Sequence, residues 1–556
     1  MKRIPVCIVG GGPVGMNLAL NLERLGVKSL IVNRDTDTQQ QPRGSTQNAR
    51  TMEHYRRLGL ARGIRQLGLP PDHPTDVVYF TRLNGWELAR IKMPSEQQKM
   101  EAVRDAGITD QVPEPLLRCN QMYVEHHILE HLKGVPHIHL RYGWRCIGWT
   151  EERDAVMVEI EDQQTGRTER IECAYLIGCD GGQSFVRRQL GIRYSGEATN
   201  TGQAYLSDAM VSSHIRAPGF SRLFPHKLGW QSWVLNASLR ANIVTLNGDD
   251  ELILLTQLAN VDDNPDDTLI ANRFIAAVGQ ELRFELIAHW KWIPGRALVA
   301  DSFGRGRVLL AGDSVHLFTP TGGFGMNTGV DDVANLGWKL AATLQGWGGA
   351  NLLATYEGER RPIALRNTSM AKYFSRNVGT LQIPSEIEED SAAGAAARAE
   401  VGRSAAGFAE EFGSIGIQLG ARYNDSRIVV TDGSTPPPDD PFVYVPSACP
   451  GGRAPHGWLP DRASLFDCFG PGFTLLRLGG DSRDDAAFRS LAARTSIPMK
   501  LLTIDVPALR DLYGTDLALI RPDQYIAWRG NRIPDDGQAL LGVVVGRDRK
   551  ESDSVC

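Results

Sequence analysis

Three β-rich runs, far apart in the chain, each break into glycine, and two of them into glycine beside aspartate. Ile4-Pro5-Val6-Cys7-Ile8-Val9 enters Gly10-Gly11-Gly12-Pro13-Val14-Gly15, which fits G-x-G-x-x-G. Tyr175-Leu176-Ile177-Gly178 enters Cys179-Asp180-Gly181-Gly182, and Val308-Leu309-Leu310-Ala311 enters Gly312-Asp313. The third run continues through His316 to Pro320-Thr321-Gly322-Gly323-Phe324-Gly325-Met326-Asn327, a glycine-rich loop that opens a helix reaching about Leu344. Such residues suit dinucleotide binding. Gly10 permits a tight turn, Gly12 lets backbone approach a pyrophosphate, and Gly15 lets helix and strand pack closely. The helix N-terminus adds free N–H groups and a partial positive charge.

A nicotinamide domain needs only the first of these motifs. Three glycine-bearing strand ends, two of them with Asp, suit a longer ligand. The loop before Gly325 aims backbone N–H groups at an electron-rich edge, such as the N1–C2=O2 edge of a reduced flavin. FAD is therefore the expected cofactor. One position departs from the usual fingerprint: the second strand, Val27 to Val32, ends at Asn33 rather than an acidic residue. An amide accepts a ribose hydroxyl without contributing charge.

The elements that must position these residues belong to a chain of 556 residues, long enough for three or four domains or subdomains. With 60 Lys+Arg against 65 Asp+Glu the net charge is −5, and no nucleic-acid partner is expected. The longest apolar runs, such as Leu252 to Leu258, are too short to span a bilayer, and no apolar leader follows Met1-Lys2-Arg3. A cytoplasmic protein without membrane contact is the expectation. The eight cysteines are scattered, with no CxxC and no His at metal-binding spacing, so buried free thiols and no metal site are expected.

Together the three motifs resemble the single-component (class A) FAD-dependent aromatic hydroxylases, the family of para-hydroxybenzoate hydroxylase and phenol hydroxylase. Pro42-Arg43-Gly44, Arg50-Thr51-Met52-Glu53, Asn120-Gln121 and Tyr356-Glu357-Gly358-Glu359-Arg360 extend the likeness over about residues 4 to 370. The resemblance implies roles by position. Gly10, Gly12, Pro13 and Gly15 would meet the pyrophosphate, with Asn33 and Arg34 at the adenosine ribose. Arg43 and Gln121 would lie along the phosphate and ribityl chain. Asp180 would serve both FAD and the nicotinamide cofactor, and Asp313 the ribityl side. Pro320, Gly322, Gly325, Met326 and Asn327 would surround the isoalloxazine. The implied reaction uses NAD(P)H and O2 to hydroxylate a small phenolic substrate through a flavin C4a-hydroperoxide.

The expected fold class is α/β: a Rossmann-like FAD-binding domain, a β-sheet substrate domain and a C-terminal thioredoxin-like domain. The FAD-binding domain would occupy 1–375 discontinuously, in pieces of about 1–75, 110–190 and 290–375. Alternating segments in about 76–109 and 191–289, with turns at Asn84-Gly85 and Asn247-Gly248, would form the substrate sheet. A helical segment and linker, 376–440, contains the rigid run Pro436-Pro437-Pro438. Residues 441–556 resemble the thioredoxin-like domain of the phenol hydroxylase branch. Without CxxC, that domain is expected to scaffold or to form a homodimer.

A phenol is activated by losing its proton, which calls for a base beside the ring. Arg222, His226, Tyr205 and Trp233 lie in the presumed substrate sheet and are the catalytic-pocket candidates. His316 reads as a motif residue near the flavin. Two other reactions use the same scaffold: Baeyer–Villiger oxygenation and flavin-dependent halogenation. Trp290-Lys291-Trp292-Ile293-Pro294 resembles the halogenase W-x-W-x-I-P signature but is one residue short. A non-catalytic flavin-binding protein is the alternative of another class, and the intact Asp180 and Asp313 elements argue against it.

Overall fold

The computed structural model describes residues 2–197, 209–224, 226–260, 262–293, 296–479 and 483–547. In it the three glycine-ended strands lie side by side. Thr168–Gly178 has Lys2–Val9 parallel to it on one edge and Val308–Leu310 parallel on the other. Val9 pairs with Gly178, and Gly178 with Leu310, so all three strands end at one level. Ser29–Asn33 and Ile138–Tyr142 extend the parallel sheet beyond Lys2–Val9. Val6, Cys7, Ile8, Leu176 and Ile177 are fully buried, as the unbroken apolar runs of a sheet covered on both faces require.

A second, seven-stranded sheet runs Glu285–Trp292, Ala209–Arg216, Glu251–Leu258, Arg240–Thr245, Gln231–Leu235, Val77–Phe80, Glu87–Ile91 in spatial order. All its pairings are antiparallel except Gln231–Leu235 with Val77–Phe80. The Asn247-Gly248 turn forms as read from sequence. Gly248 has φ +80°, and Asn247 Oδ1 accepts from the N–H groups of Asp249, Asp250 and Glu251. Side chains alternate across this sheet. Phe80, Val234 and Ile243 face helix Asp267–Val278, whereas Tyr79, Trp233 and Val244 face the other way.

The segment 376–440 covers that second face rather than merely joining domains. Helix Ala392–Ala406 and the 3₁₀ turn Gly407–Phe412 place Ala397, Val401, Phe408 and Phe412 against Tyr79 and Trp230. The prolines that follow are pinned back, with Arg366 Nη2 2.6 Å from Asp439 Oδ1. The C-terminal domain is a four-stranded mixed sheet, Met499–Thr503, Phe473–Arg477, Leu517–Ile520, Ile526–Gly530. Its core merges with the first domain, for Phe473, Leu475 and Ala527 pack with Trp338 and Trp347. Among the described residues no helix is long and apolar enough to cross a membrane.

Candidate functional site

The aligned ends of the three parallel strands open onto a cavity of about 950 Å³. This is the crevice where open α/β sheets bind ligands. Each glycine at its floor has a different steric reason. Gly10 has φ +112°, and a Cβ there would lie 2.2 Å from the Cys179 carbonyl oxygen. A Cβ on Gly15 would lie 2.0 Å from the Gly10 carbonyl oxygen, so Gly15 is a packing residue behind the wall. A Cβ on Gly12 would meet no protein atom within 4 Å and would project into the cavity. Asn33 Oδ1 accepts from the Gly11 N–H at 3.0 Å and the Tyr142 hydroxyl donates to the Gly11 carbonyl at 2.7 Å, holding this turn from both sides.

The polar character of the cavity fits FAD. Helix Pro13–Glu23 begins at Gly12 and helix Phe324–Leu344 at Gly323, and neither has a side-chain cap, so first-turn N–H groups are left for an acceptor. Arg34, Arg43, Arg145 and Arg188 supply positive charge along the wall. The Asp313 carboxylate faces the cavity, and no described residue donates to it. Its side chain is open to the cavity, where the surrounding protein raises its pKa against the pull of His316 and Arg43. Such an acceptor suits hydroxyl donors of a ribityl chain. Asp180 is engaged by its own helix: it accepts from the N–H groups of Phe185 (2.7 Å) and Val186 (3.1 Å), while burial pushes its pKa up.

The cofactor candidates read from sequence fall as follows. Gly10, Gly12, Pro13, Asn33, Arg34, Arg43, Gln121, Asp180 and Asp313 line the cavity. Pro320, Gly325, Met326 and Asn327 line it too. Asn327 also braces it, donating from Nδ2 to the Thr46 carbonyl at 2.9 Å and accepting from the Asn48 N–H at 2.9 Å. Gly322 lines the neighbouring cavity instead. His316 is fully buried, with Nε2 2.6 Å from Asp332 Oδ2.

That second cavity, about 660 Å³, shares Arg43, Gly44, Thr46, Pro320 and Gly323 with the first. One wall is the open face of the seven-stranded sheet, including Trp233, Asn242, Trp290 and Trp292. Opposite lie Glu411, Phe412 and Gln418 from the 376–440 segment. Arg118 stacks its guanidinium over Trp230, 3.6 Å from the ring centroid, and donates from Nη1 to Thr46 Oγ1.

Residues 3–371 match the FAD binding domain family, and residues 447–547 match the family described as aromatic-ring hydroxylase, C-terminal. The chain belongs to the FAD-dependent aromatic-ring hydroxylases. It is 31% identical to the tetracenomycin B2 monooxygenase-dioxygenase of Streptomyces olivaceus over 98% of each chain. It is 29% identical to the FAD-dependent monooxygenase apdD of Emericella nidulans, covering 96% of this chain and 88% of that one. The structure of native and K252c-bound RebC-10x superposes with a TM-score of 0.88 at 34% identity, covering 99% of this chain and 100% of that one. This flavoprotein is a monooxygenase that hydroxylates an aromatic ring, with FAD as its cofactor.

In this hydroxylase the four substrate-pocket candidates separate. Trp233 lines the second cavity and stacks on Tyr79, 6.5 Å between centroids. Arg222 is exposed on the short 3₁₀ turn Phe220–Arg222. His226 stacks on Phe80 at 4.7 Å, and its Nε2 meets the Leu83 carbonyl at 2.7 Å. Phe80 belongs to the helix-covered face, so the pleat puts His226 on the side away from the cavity. Tyr205 lies outside the described residues. Trp290 and Trp292, from the halogenase-like run, are strand residues whose side chains reach the cavity, and Trp292 Nε1 donates to Ser212 Oγ at 2.8 Å.

Two cavity residues escape sequence reasoning. Arg118 sits between two motif segments with no spacing of its own. Glu411 lies in a stretch that composition presents as helical linker. Burial pushes its carboxyl up to about 7, against a hydrogen bond from the Gly322 N–H at 3.1 Å and the charge of Arg118.

Proposed function

We propose that this enzyme hydroxylates a phenolic ring within a fused, polycyclic aromatic, taking electrons from NAD(P)H and oxygen from O2. The observation that carries the reading is the second cavity. At about 660 Å³ it falls in the upper half of the range for drug-sized ligands, about 300–1,000 Å³. A single phenol ring would leave most of it to water, and water must be excluded from oxygen transfer. Its flat indole walls, Trp230, Trp233, Trp290 and Trp292, suit an extended planar π-system. The names of two similar proteins, the tetracenomycin B2 oxygenase and K252c-bound RebC-10x, support the same substrate class.

In this reading the uncapped helix start at Gly12 and Pro13 holds the FAD pyrophosphate, with Asn33 and Arg34 at the adenosine end. Arg43 and Gln121 lie along the middle, and Asp313 accepts from the ribityl chain. The Pro320–Asn327 loop presents N–H groups to the ring system. FAD supplies the oxygen chemistry when bound. The protein orients the aromatic ring, shields it from water and manages its phenolic proton. The free cysteines suit a reducing cytoplasm.

The test offers the FAD-loaded protein NADH or NADPH, air, and a panel running from phenol to hydroxylated anthraquinones. Cofactor oxidation and product mass are followed together. A fused-ring phenol that stimulates oxidation and gains one oxygen atom supports the reading. Stimulation by monocyclic phenols alone, or by no phenol, overturns it.

A further inference from the structure

We propose that Glu411 is the catalytic base of this hydroxylase, taking the phenolic proton from the substrate while Arg118 stabilises the phenolate. The inference rests on the aromatic-substrate reading and deepens it. Among the described residues lining the second cavity, Glu411 is the single carboxylate, and no histidine, tyrosine or cysteine lines it. The remaining charged groups there, Arg43, Arg118 and Lys291, are cations and cannot accept a proton. Lys291 turns its ammonium outward to the Asp263 carbonyl at 3.1 Å.

Position supports the assignment. Glu411 Oε1 accepts from the N–H of Gly322, within the Pro320–Gly323 loop that divides the substrate cavity from the FAD cavity. A ring placed against Glu411 therefore lies at the junction, where oxygen transfer takes place. The groups facing the carboxylate are the Gly322 N–H, the Arg118 guanidinium from strand Leu117–Arg118 and the Tyr79 phenol from strand Val77–Phe80. Burial of Glu411 brings its affinity for a proton close to that of an acidic phenol, which suits exchange near neutral pH.

The step balances without a co-reactant. The phenolic O–H bond breaks, its proton moves to a Glu411 oxygen, and the electron pair stays on the phenolate oxygen beside Arg118. When the oxygenated ring regains aromaticity, its carbonyl oxygen takes that proton back and the ring C–H proton leaves to solvent.

The test uses the FAD-loaded protein and 1,2-dihydroxyanthraquinone, whose phenolate absorbs at longer wavelength than the phenol, with no reductant present. An ionised Glu411 beside the phenolate opposes its charge, so the colour change of the bound dye should fall at a pH midpoint at least one unit, or tenfold in proton concentration, higher in the wild type than in Glu411→Gln. Glutamine keeps an acceptor for the Gly322 N–H, so flavin content should match the wild type. With NAD(P)H and a turned-over phenol, E411Q should lose roughly 10²-fold in kcat/KM, the usual worth of a general base, and recover at high pH. Infrared titration of the substrate-free protein should show a protonated carboxyl near neutral pH that E411Q lacks. Equal dye midpoints in the two proteins, or no such carboxyl in the wild type, would overturn the proposal. A dye that fails to bind counts against the fused-ring reading, and the infrared titration still decides for or against Glu411.

Discussion

Arg453 of the C-terminal domain closes on Glu53 of helix Ala49–Arg57, with Nε 3.1 Å from Oε2 and both side chains fully enclosed. Arg50 reaches the same Glu53 oxygen at 2.8 Å and the Asp523 carbonyl at 2.7 Å. A parallel cluster joins Arg521 to Glu359 at 2.7 Å and Glu359 to Lys339 at 2.7 Å. The C-terminal domain is thus clamped to the flavin domain by buried charge. Each partner, left alone, becomes an unpaired charge in the interior.

Removing one partner should therefore cost far more than a surface ion pair. Arg453→Met leaves Glu53 with only Arg50 and should destabilise the protein by about 3–5 kcal/mol. Urea unfolding of the FAD-loaded protein checks this. The double variant Arg453→Met with Glu53→Gln should recover part of the loss, because the orphaned charge is gone too. A loss below about 1 kcal/mol would mean that the pair is screened as if exposed.

Gly12 and Gly15 should respond in opposite ways to an added methyl. Gly15→Ala drives a Cβ to 2.0 Å from a carbonyl oxygen, so stability should fall by about 1–3 kcal/mol or more. Gly12→Ala meets open space, so the apo-protein should melt within a few degrees of wild type while FAD affinity drops at least tenfold. Thermal melts and flavin titration together separate the two. Equal stability losses in both would contradict the cradle geometry.

Acid should unfold the protein through two buried histidines. Burial pushes both His54 and His456 down to about 4. At His456, burial outweighs the opposing pull of the Asp110 carbonyl, which Nδ1 meets at 2.6 Å, while Nε2 meets Ser464 Oγ at 2.9 Å. In the unfolded chain each regains a pKa near 6.5. Between about pH 6.5 and 4 the unfolded state binds more protons, so stability falls as pH falls, by up to about 3 kcal/mol per histidine. Proton uptake by Glu411, raised to about 7, opposes this over the same window but is common to wild type and His456→Gln. By denaturation midpoints, the variant should therefore lose less stability than the wild type between about pH 6.5 and 4. An equal pH dependence in the two proteins would refute the linkage.

The pleat of the seven-stranded sheet predicts which candidate matters for substrate. Trp233→Ala removes an indole from the cavity wall and should weaken aromatic binding about tenfold, worth roughly 1.4 kcal/mol, without changing flavin content. Arg222→Ala, on an exposed turn, should leave binding and turnover within twofold of wild type. Equilibrium titration with 1,2-dihydroxyanthraquinone reads both. A large effect from Arg222 would mean that the substrate reaches beyond the cavity described.

The flavin site was legible in sequence because its constraints are local. Gly10 must turn at φ +112°, Gly15 must let its helix touch a strand, and Gly12 must leave room, and each demand selects glycine at a fixed spacing. The apolar runs before them announce buried parallel strands, and the Asn247-Gly248 turn announces itself by residue type. By itself, the sequence determined that three strand ends would carry Gly, two of them with Asp beside it. Tertiary structure decided that they would be neighbours, since parallel pairing of Val9, Gly178 and Leu310 joins segments more than 100 residues apart. It also decided the substrate cavity. One pleat step separates Tyr79 from Phe80, and with it the cavity face from the face that holds His226. Glu411 meets Gly322 across 89 residues of chain, a contact made by helices folding over a sheet that no local spacing records. Short-range steric rules are written into residue type; long-range convergence exists only once the layers have packed.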